Sequence, residues 1–305
     1  MATVTRIKRK NSMARKEAIA FHLFISPWLI GFVVFTLGPM VASLFLSFTK
    51  YNVSQPPQWV GFGNWVRAFT KDYLFYHSFK ITFIYAFTAV PLQLIAGLIV
   101  ALLLNTNIPA ISFWRTLYYI PSVLSGVAVA VLWRLAFHPT NGIINTVLRI
   151  FGIKGPAWIY DPKWALQALV VMSLWGIGGG MIIYLSGLQG IPTALYEAAT
   201  IDGAGRWRKF WNITLPMITP ILFFNLVMGV IHAMETFTTA FVMTEGGPQN
   251  ATLFIGLRIY FAAFRDLLMG YASTLAWSLF IVIMLLTLLI IRSSSFWVYY
   301  EGMKR

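Results

Sequence analysis

Cysteine is absent from all 305 residues. That removes disulfides, thiol nucleophiles and Cys-ligated metal or iron–sulfur centres from consideration. Charge is scarce too: 10% of residues are charged, against about 25% in a soluble domain. Acids are the scarcest, with 9 Asp+Glu facing 23 Lys+Arg for a net charge of +14. No Gly-Lys dipeptide occurs, which excludes a Walker A phosphate loop, and HExxH and GxSxG are missing as well. With so little polar surface, the chain lacks what a water-soluble monomer of its length needs. The basic excess does not point to nucleic acid, because no basic stripe interleaved with base-stacking aromatics lies outside the apolar segments.

What is present is hydrocarbon: 58% of the residues are hydrophobic. The few charges act as boundary posts around long uncharged stretches, and about 20 apolar residues cross a bilayer. Trimmed at Pro, Asn and Gly, those stretches predict six spans near 21–48, 80–104, 114–137, 165–189, 217–243 and 269–292. Segments such as LIVALLL (98–104) are apolar on every side, unlike the one-faced helices of a soluble bundle. The expected fold is an all-α membrane protein. Residues 1–20 form a basic leader, 21–292 the six-span domain and 293–305 a tail.

The leader carries Arg6, Lys8, Arg9, Lys10, Arg15 and Lys16. It predicts a cytoplasmic N-terminus by the positive-inside rule, and an even span number puts the tail, with Arg292, Lys304 and Arg305, on the same side. Over all loops the bias is modest, since 10 basic residues fall outside or near the outer end of the third span.

The loop at 190–216 differs from the others. Pro192 suits the first turn of a helix, Thr193 to Ile201 favours helix, and Gly203 and Gly205 can end it. A second helical stretch, Arg206 to Ile213, is expected to stop ahead of Pro216. Within this loop, Glu197-Ala198-Ala199, three residues, Gly203, nine residues and Ile213-x-Leu215-Pro216 reproduce the EAA motif. In this arrangement, and in the longer pattern that includes Asp202, the chain resembles ABC importer permeases of the carbohydrate-uptake branch, specifically maltose-permease F-like subunits. GFGNW (61–65) and TEGGP (244–248) are similar to that branch's loop signatures.

The resemblance implies the type I importer fold and a coupling helix at Glu197 that docks on a cytoplasmic ATPase. It also implies the partners: a second permease, two ATPases that hold ATP and Mg, and an extracytoplasmic sugar-binding protein. No cofactor or metal is expected in this chain, and its membrane is the cytoplasmic membrane of a prokaryote. The physics agrees, since Ala198, Ala199 and Gly203 leave a small-residue face and Glu197 offers a carboxylate to a basic partner. Arg206, Arg208 and Lys209 suit acidic groups or membrane lipid phosphate.

Polar groups inside spans mark candidate substrate contacts, because hydrocarbon penalises them. On a continuous fifth helix, Asn225, Gly229, His232, Thr236 and Thr239 would share one stripe, with Glu235 beside it. Interhelical hydrogen bonding is the plainer use of such groups. The fourth span carries Trp175-Gly176-Ile177-Gly178-Gly179-Gly180, a weakened helix, and Trp175 and Tyr184 can stack on sugar faces. Tyr271, Thr274 and Ser278 share a face of the sixth span. Apart from Lys80, Arg115 and Arg292 at the very ends of spans, only Arg134 offers a permanent positive charge in a span, so a neutral sugar suits the chain better than the phosphorylated cargo of glycerol-phosphate-type relatives. A proton-coupled carrier that titrates Glu235, or an intramembrane enzyme using His232 and Glu235, would leave the EAA loop unexplained.

Overall fold

The computed structural model describes residues 7–106 and 109–299, with side chains from Met13 onward. Arg6, Lys304, Arg305 and the side chains of Lys8, Arg9 and Lys10 therefore lie outside the described residues. Helix α1 (Ile7–Phe32) passes through a π-helical turn into α2 (Gly38–Ser47), so Met13–Ser47 is one apolar helix of 35 residues. A short antiparallel hairpin, β1 (Thr49–Asn52) with β2 (Gln55–Trp59), and α3 (Gly63–Thr70) lead to α4 (Tyr73–Leu104). Asp72 caps α4 by accepting a hydrogen bond from the Leu74 N–H at 2.9 Å.

The third expected span is broken. It is two helices, α5 (Ile111–Val123) and α6 (Gly126–Ala136), bent by 98°. Pro121 removes a backbone donor near the end of α5, and Leu124 is extended at ψ 149°, so the chain restarts its helix at Gly126 in a new direction. An outer loop with α7 (Ile143–Ile150) follows. The fourth span is α8 (Ala165–Ser173) and α9 (Gly178–Gln189), bent by 45° at the glycine run.

The cytoplasmic loop holds α10 (Thr193–Ile201), and α11 (Arg206–Lys209) then runs through a π-helical turn (Phe210–Thr214) into α12 (Leu215–Met234). The expected stop ahead of Pro216 does not occur: Arg206–Met234 is one helix of 29 residues. The wider π turn just before Pro216 accommodates the missing donor. At the other end α12 stops at Met234, short of the expected 243, and a separate α13 (Thr238–Met243) follows. Then come α14 (Ile255–Tyr260) and α15 (Met269–Trp297), so helix continues into the expected tail.

Four long apolar helices, with each of the two bent pairs taken as one span, make up the six spans. Helix α4 is the hub, packed against α8, α9, α12 and α14. Two apolar clusters result. The outer one gathers Phe75, Phe79, Phe254, Leu257 and Leu275, and the inner one Leu104, Met181, Leu188 and Ile218. No residue from Met13 to Leu46 is buried; the first span packs on α15 through α2 and leaves the rest of its surface to lipid or another chain.

Candidate functional site

At mid-height, between the two clusters, α4, α9 and α12 part around a cavity of about 580 Å³. Residues 90–94 of α4, which lie near the middle of that 32-residue helix, form one wall with Val90, Gln93 and Leu94. The glycine run of the fourth span forms another, and Asn225, Gly229 and His232 face in from α12. Gly178 cannot carry a side chain: a Cβ there would strike the Tyr118 carbonyl oxygen, so the run brings α5 and α9 into backbone contact. Asn225 donates from Nδ2 to the Ile221 carbonyl at 3.2 Å. The buried Tyr184 Oη has no hydrogen-bond partner among the described residues, so a ligand hydroxyl or water can complete it. No Asp, Glu, Lys or Arg lines this space.

Of the residues expected to meet substrate, the structure brings together Asn225, His232 and Tyr184. Thr236 and Thr239 do not join them, because the helix that would align them ends at Met234; Thr236 Oγ1 bonds the His232 carbonyl at 3.4 Å. Glu235 is the exposed C-cap of α12, just beyond the end of that helix. Trp175 lies against Trp133, ring centroids 6.0 Å apart, outside the cavity lining. Gln93, Ser122 and Ser173 line the cavity without having stood out in the sequence. Gln93 carried a signal, as a lone amide inside an uncharged span.

Tyr271, Thr274 and Ser278 serve packing at the outer end. Thr274 Oγ1 donates to the Ser47 carbonyl at 3.0 Å, and Ser278 Oγ to that of Thr274 at 2.8 Å. Tyr271 Oη donates to Asp72 Oδ2 at 2.6 Å, where Arg258 also reaches at 3.1 Å; the same guanidinium meets Asp266 at 3.2 Å. Burial raises the Asp72 pKa, but the Tyr271 and Arg258 hydrogen bonds, the Arg258 charge and the Leu74 N–H more than offset it. The carboxyl is held below its ordinary value. This cluster ties α4, α14 and α15 together.

On the cytoplasmic side, α10 ends in a two-bond turn. The Gly203 N–H meets the Thr200 carbonyl at 3.0 Å, and the Ala204 N–H that of Ala199 at 2.8 Å. Gly203 sits at φ +72° with open space around it, so the requirement for glycine is conformational. Tyr196 Oη bonds Thr214 Oγ1 at 2.9 Å and Lys209 Nζ donates to Thr200 Oγ1 at 2.6 Å, pinning α10 to the foot of α12. Ile213 and Leu215 pack on the inner cluster, and Pro216 stands in the first turn of α12. The motif thus divides its labour. Glu197, Ala198 and Asp202 are exposed, Ala199 is half-buried, and the neighbouring Ile201 and Trp207 stand 87% and 77% exposed.

A helix set that opens at mid-membrane and presents a short helix at its cytoplasmic face is that of a type I importer permease. Its kind follows from its relatives. The chain belongs to the family of binding-protein-dependent transport system inner membrane components, whose model matches residues 82–300. It is a multi-pass protein of a prokaryotic cytoplasmic membrane. It is 44% identical over 298 residues to the probable ABC transporter permease protein YesP of Bacillus subtilis, covering 96% of each. It is 33% identical to the lactose transport system permease protein LacF of Rhizobium radiobacter, over 95% of this chain and 97% of that one. Its fold matches a chain of a bacterial alginate ABC transporter solved with an alginate pentasaccharide-bound periplasmic protein. The TM-score there is 0.81 at 24% identity, covering 92% of this chain and 95% of that chain.

Proposed function

We propose that this chain is one of two permeases of an ABC importer and passes a neutral sugar or oligosaccharide through the cavity between α4, α9 and α12. The observation that carries the proposal is the lining: amide, hydroxyl and imidazole groups with no Asp, Glu, Lys or Arg. Such groups satisfy a polyol's hydroxyls, whereas a phosphorylated or acidic cargo calls for a cation. Lactose and multiple-sugar permeases among the relatives support the class.

The exposed face of α10 is the proposed seat for the ATPase. Glu197 meets a basic group there, and Ile201 and Trp207 supply apolar area. ATP and Mg reside on that partner, and this chain makes and breaks no covalent bond. Movement of α10 reaches the cavity through the foot of α12, to which Tyr196 and Lys209 fasten it.

The test is reconstitution of the complete transporter with its binding protein and a panel of neutral, acidic and phosphorylated saccharides. A neutral sugar is expected to stimulate ATP hydrolysis and uptake. Tyr184→Phe should leave assembly intact and raise KM about three- to tenfold, the loss of one hydrogen bond. Stimulation confined to acidic or phosphorylated sugars, or an unchanged KM in both Tyr184→Phe and Asn225→Leu, would contradict the assignment.

A further inference from the structure

The outer loop between α6 and α8 holds a second cavity of about 580 Å³, apart from the one between α4, α9 and α12. It is lined by Thr140, Arg149, Lys154 and the turn around Gly152, with no acidic residue. The rim is built rather than loose. Buried Asn145 donates to the carbonyls of Pro139 at 2.9 Å and Pro156 at 3.0 Å, and accepts from Trp158 Nε1 at 2.6 Å. Arg149 Nη2 is steered by the Thr140 carbonyl at 3.0 Å, and both Arg149 and Lys154 are exposed.

Beside the cavity runs an unpartnered apolar face. Helix α7 turns Ile144 toward the outer core cluster and leaves Ile143, Val147, Ile150 and Phe151 bare; Ile150 is 76% and Phe151 74% exposed. Tyr160 and Trp164, also exposed, lie just ahead of α8. Tyr and Trp in that place mark the level of the headgroups. The basic pair stands on the outer side, where the positive-inside rule does not call for it.

We propose that this loop binds an anionic phospholipid of the outer leaflet. Its phosphate sits between Arg149 and Lys154, and its acyl chains lie along Ile150 and Phe151. Charge complementarity selects this occupant: two cations with no ion-paired carboxylate among the described residues, beside an apolar helix face at headgroup height, match a lipid's phosphate and tail together.

The test uses the whole transporter in nanodiscs of phosphatidylglycerol and phosphatidylcholine. A photoactivatable phosphatidylglycerol should cross-link within residues 143–158. Native mass spectrometry should show phosphatidylglycerol retained over phosphatidylcholine, and the double substitution R149A/K154A should cut that retention about tenfold. Cross-links found only elsewhere would overturn the proposal. So would equal retention of both lipids, or unchanged retention together with weaker stimulation by the binding protein, which would mark the patch as a protein-docking surface. Inorganic phosphate that displaces the lipid label completely at millimolar concentration would also overturn it, because the tail contacts would then contribute nothing.

Discussion

The two ends of this helix bundle are held by different means. At the outer end, the buried Arg258 is shared by Asp72 and Asp266 while Tyr271 caps the same carboxylate, so α4, α14 and α15 close on one another. At the cytoplasmic end, α10 is fastened by two side-chain hydrogen bonds and a glycine turn, and its apolar residues face away from the chain. The outer end pairs its buried charges within the chain, although Arg258 Nε and Trp65 Nε1 have no partner among the described residues. The cytoplasmic end leaves apolar residues bare, which suits the ATPase seat proposed for α10.

The largest effect is expected where the outer lock is broken. Arg258→Met leaves Asp72 buried without its cation and should cost about 3–5 kcal/mol, read as unfolding of the purified transporter in denaturant. Asp72→Asn should cost less, about 1.5–3 kcal/mol at neutral pH, since the amide retains part of the bonding. Its pH dependence sharpens the point. The folded pKa of Asp72 is lowered, so its stabilisation is complete above the unfolded value and fades as pH falls through the lower folded one. The gap between wild type and Asp72→Asn should stay constant from pH 7 to about pH 5 and close below about pH 4, followed by thermal melts. A gap that widens on acidification would contradict the cluster's charge state.

At the cytoplasmic end a smaller energy should have the larger functional consequence. Gly203→Val forces a branched residue into the left-handed region at about 1–2 kcal/mol. It should leave the bundle's melting nearly unchanged while uncoupling ATP hydrolysis from uptake. If Gly203→Val transports normally and Arg258→Met melts normally, the contrast between the ends is wrong.

The sequence disclosed the cytoplasmic end more fully than the cavity. The EAA loop is one short segment in which turn geometry, exposure and anchoring follow from neighbouring residues. The cavity is assembled from helices far apart in the chain, so Ser122 and Ser173 had no local pattern to reveal them, and the lone amide of Gln93 was the one local sign. Span positions were legible because scarce charges bracket them. Helix continuity was not, because backbone breaks need no charge. The 98° bend follows Pro121 and precedes Gly126, both inside an apolar run. The end of α12 at Met234 puts Glu235 at a helix cap rather than within the continuous helix that its uncharged neighbours implied. Asp72 and Arg258, 186 residues apart, are brought together only by the fold.

A chain without cysteine allows a direct test of the central claim that α10 seats the ATPase. Ala198→Cys introduces a single thiol on its exposed face. In the assembled transporter that thiol should cross-link to the ATPase subunit, with a yield that changes when nucleotide binds. A thiol at Ala198 that stays freely reactive to water-soluble maleimide in the complete complex, and never joins the ATPase, would contradict the account.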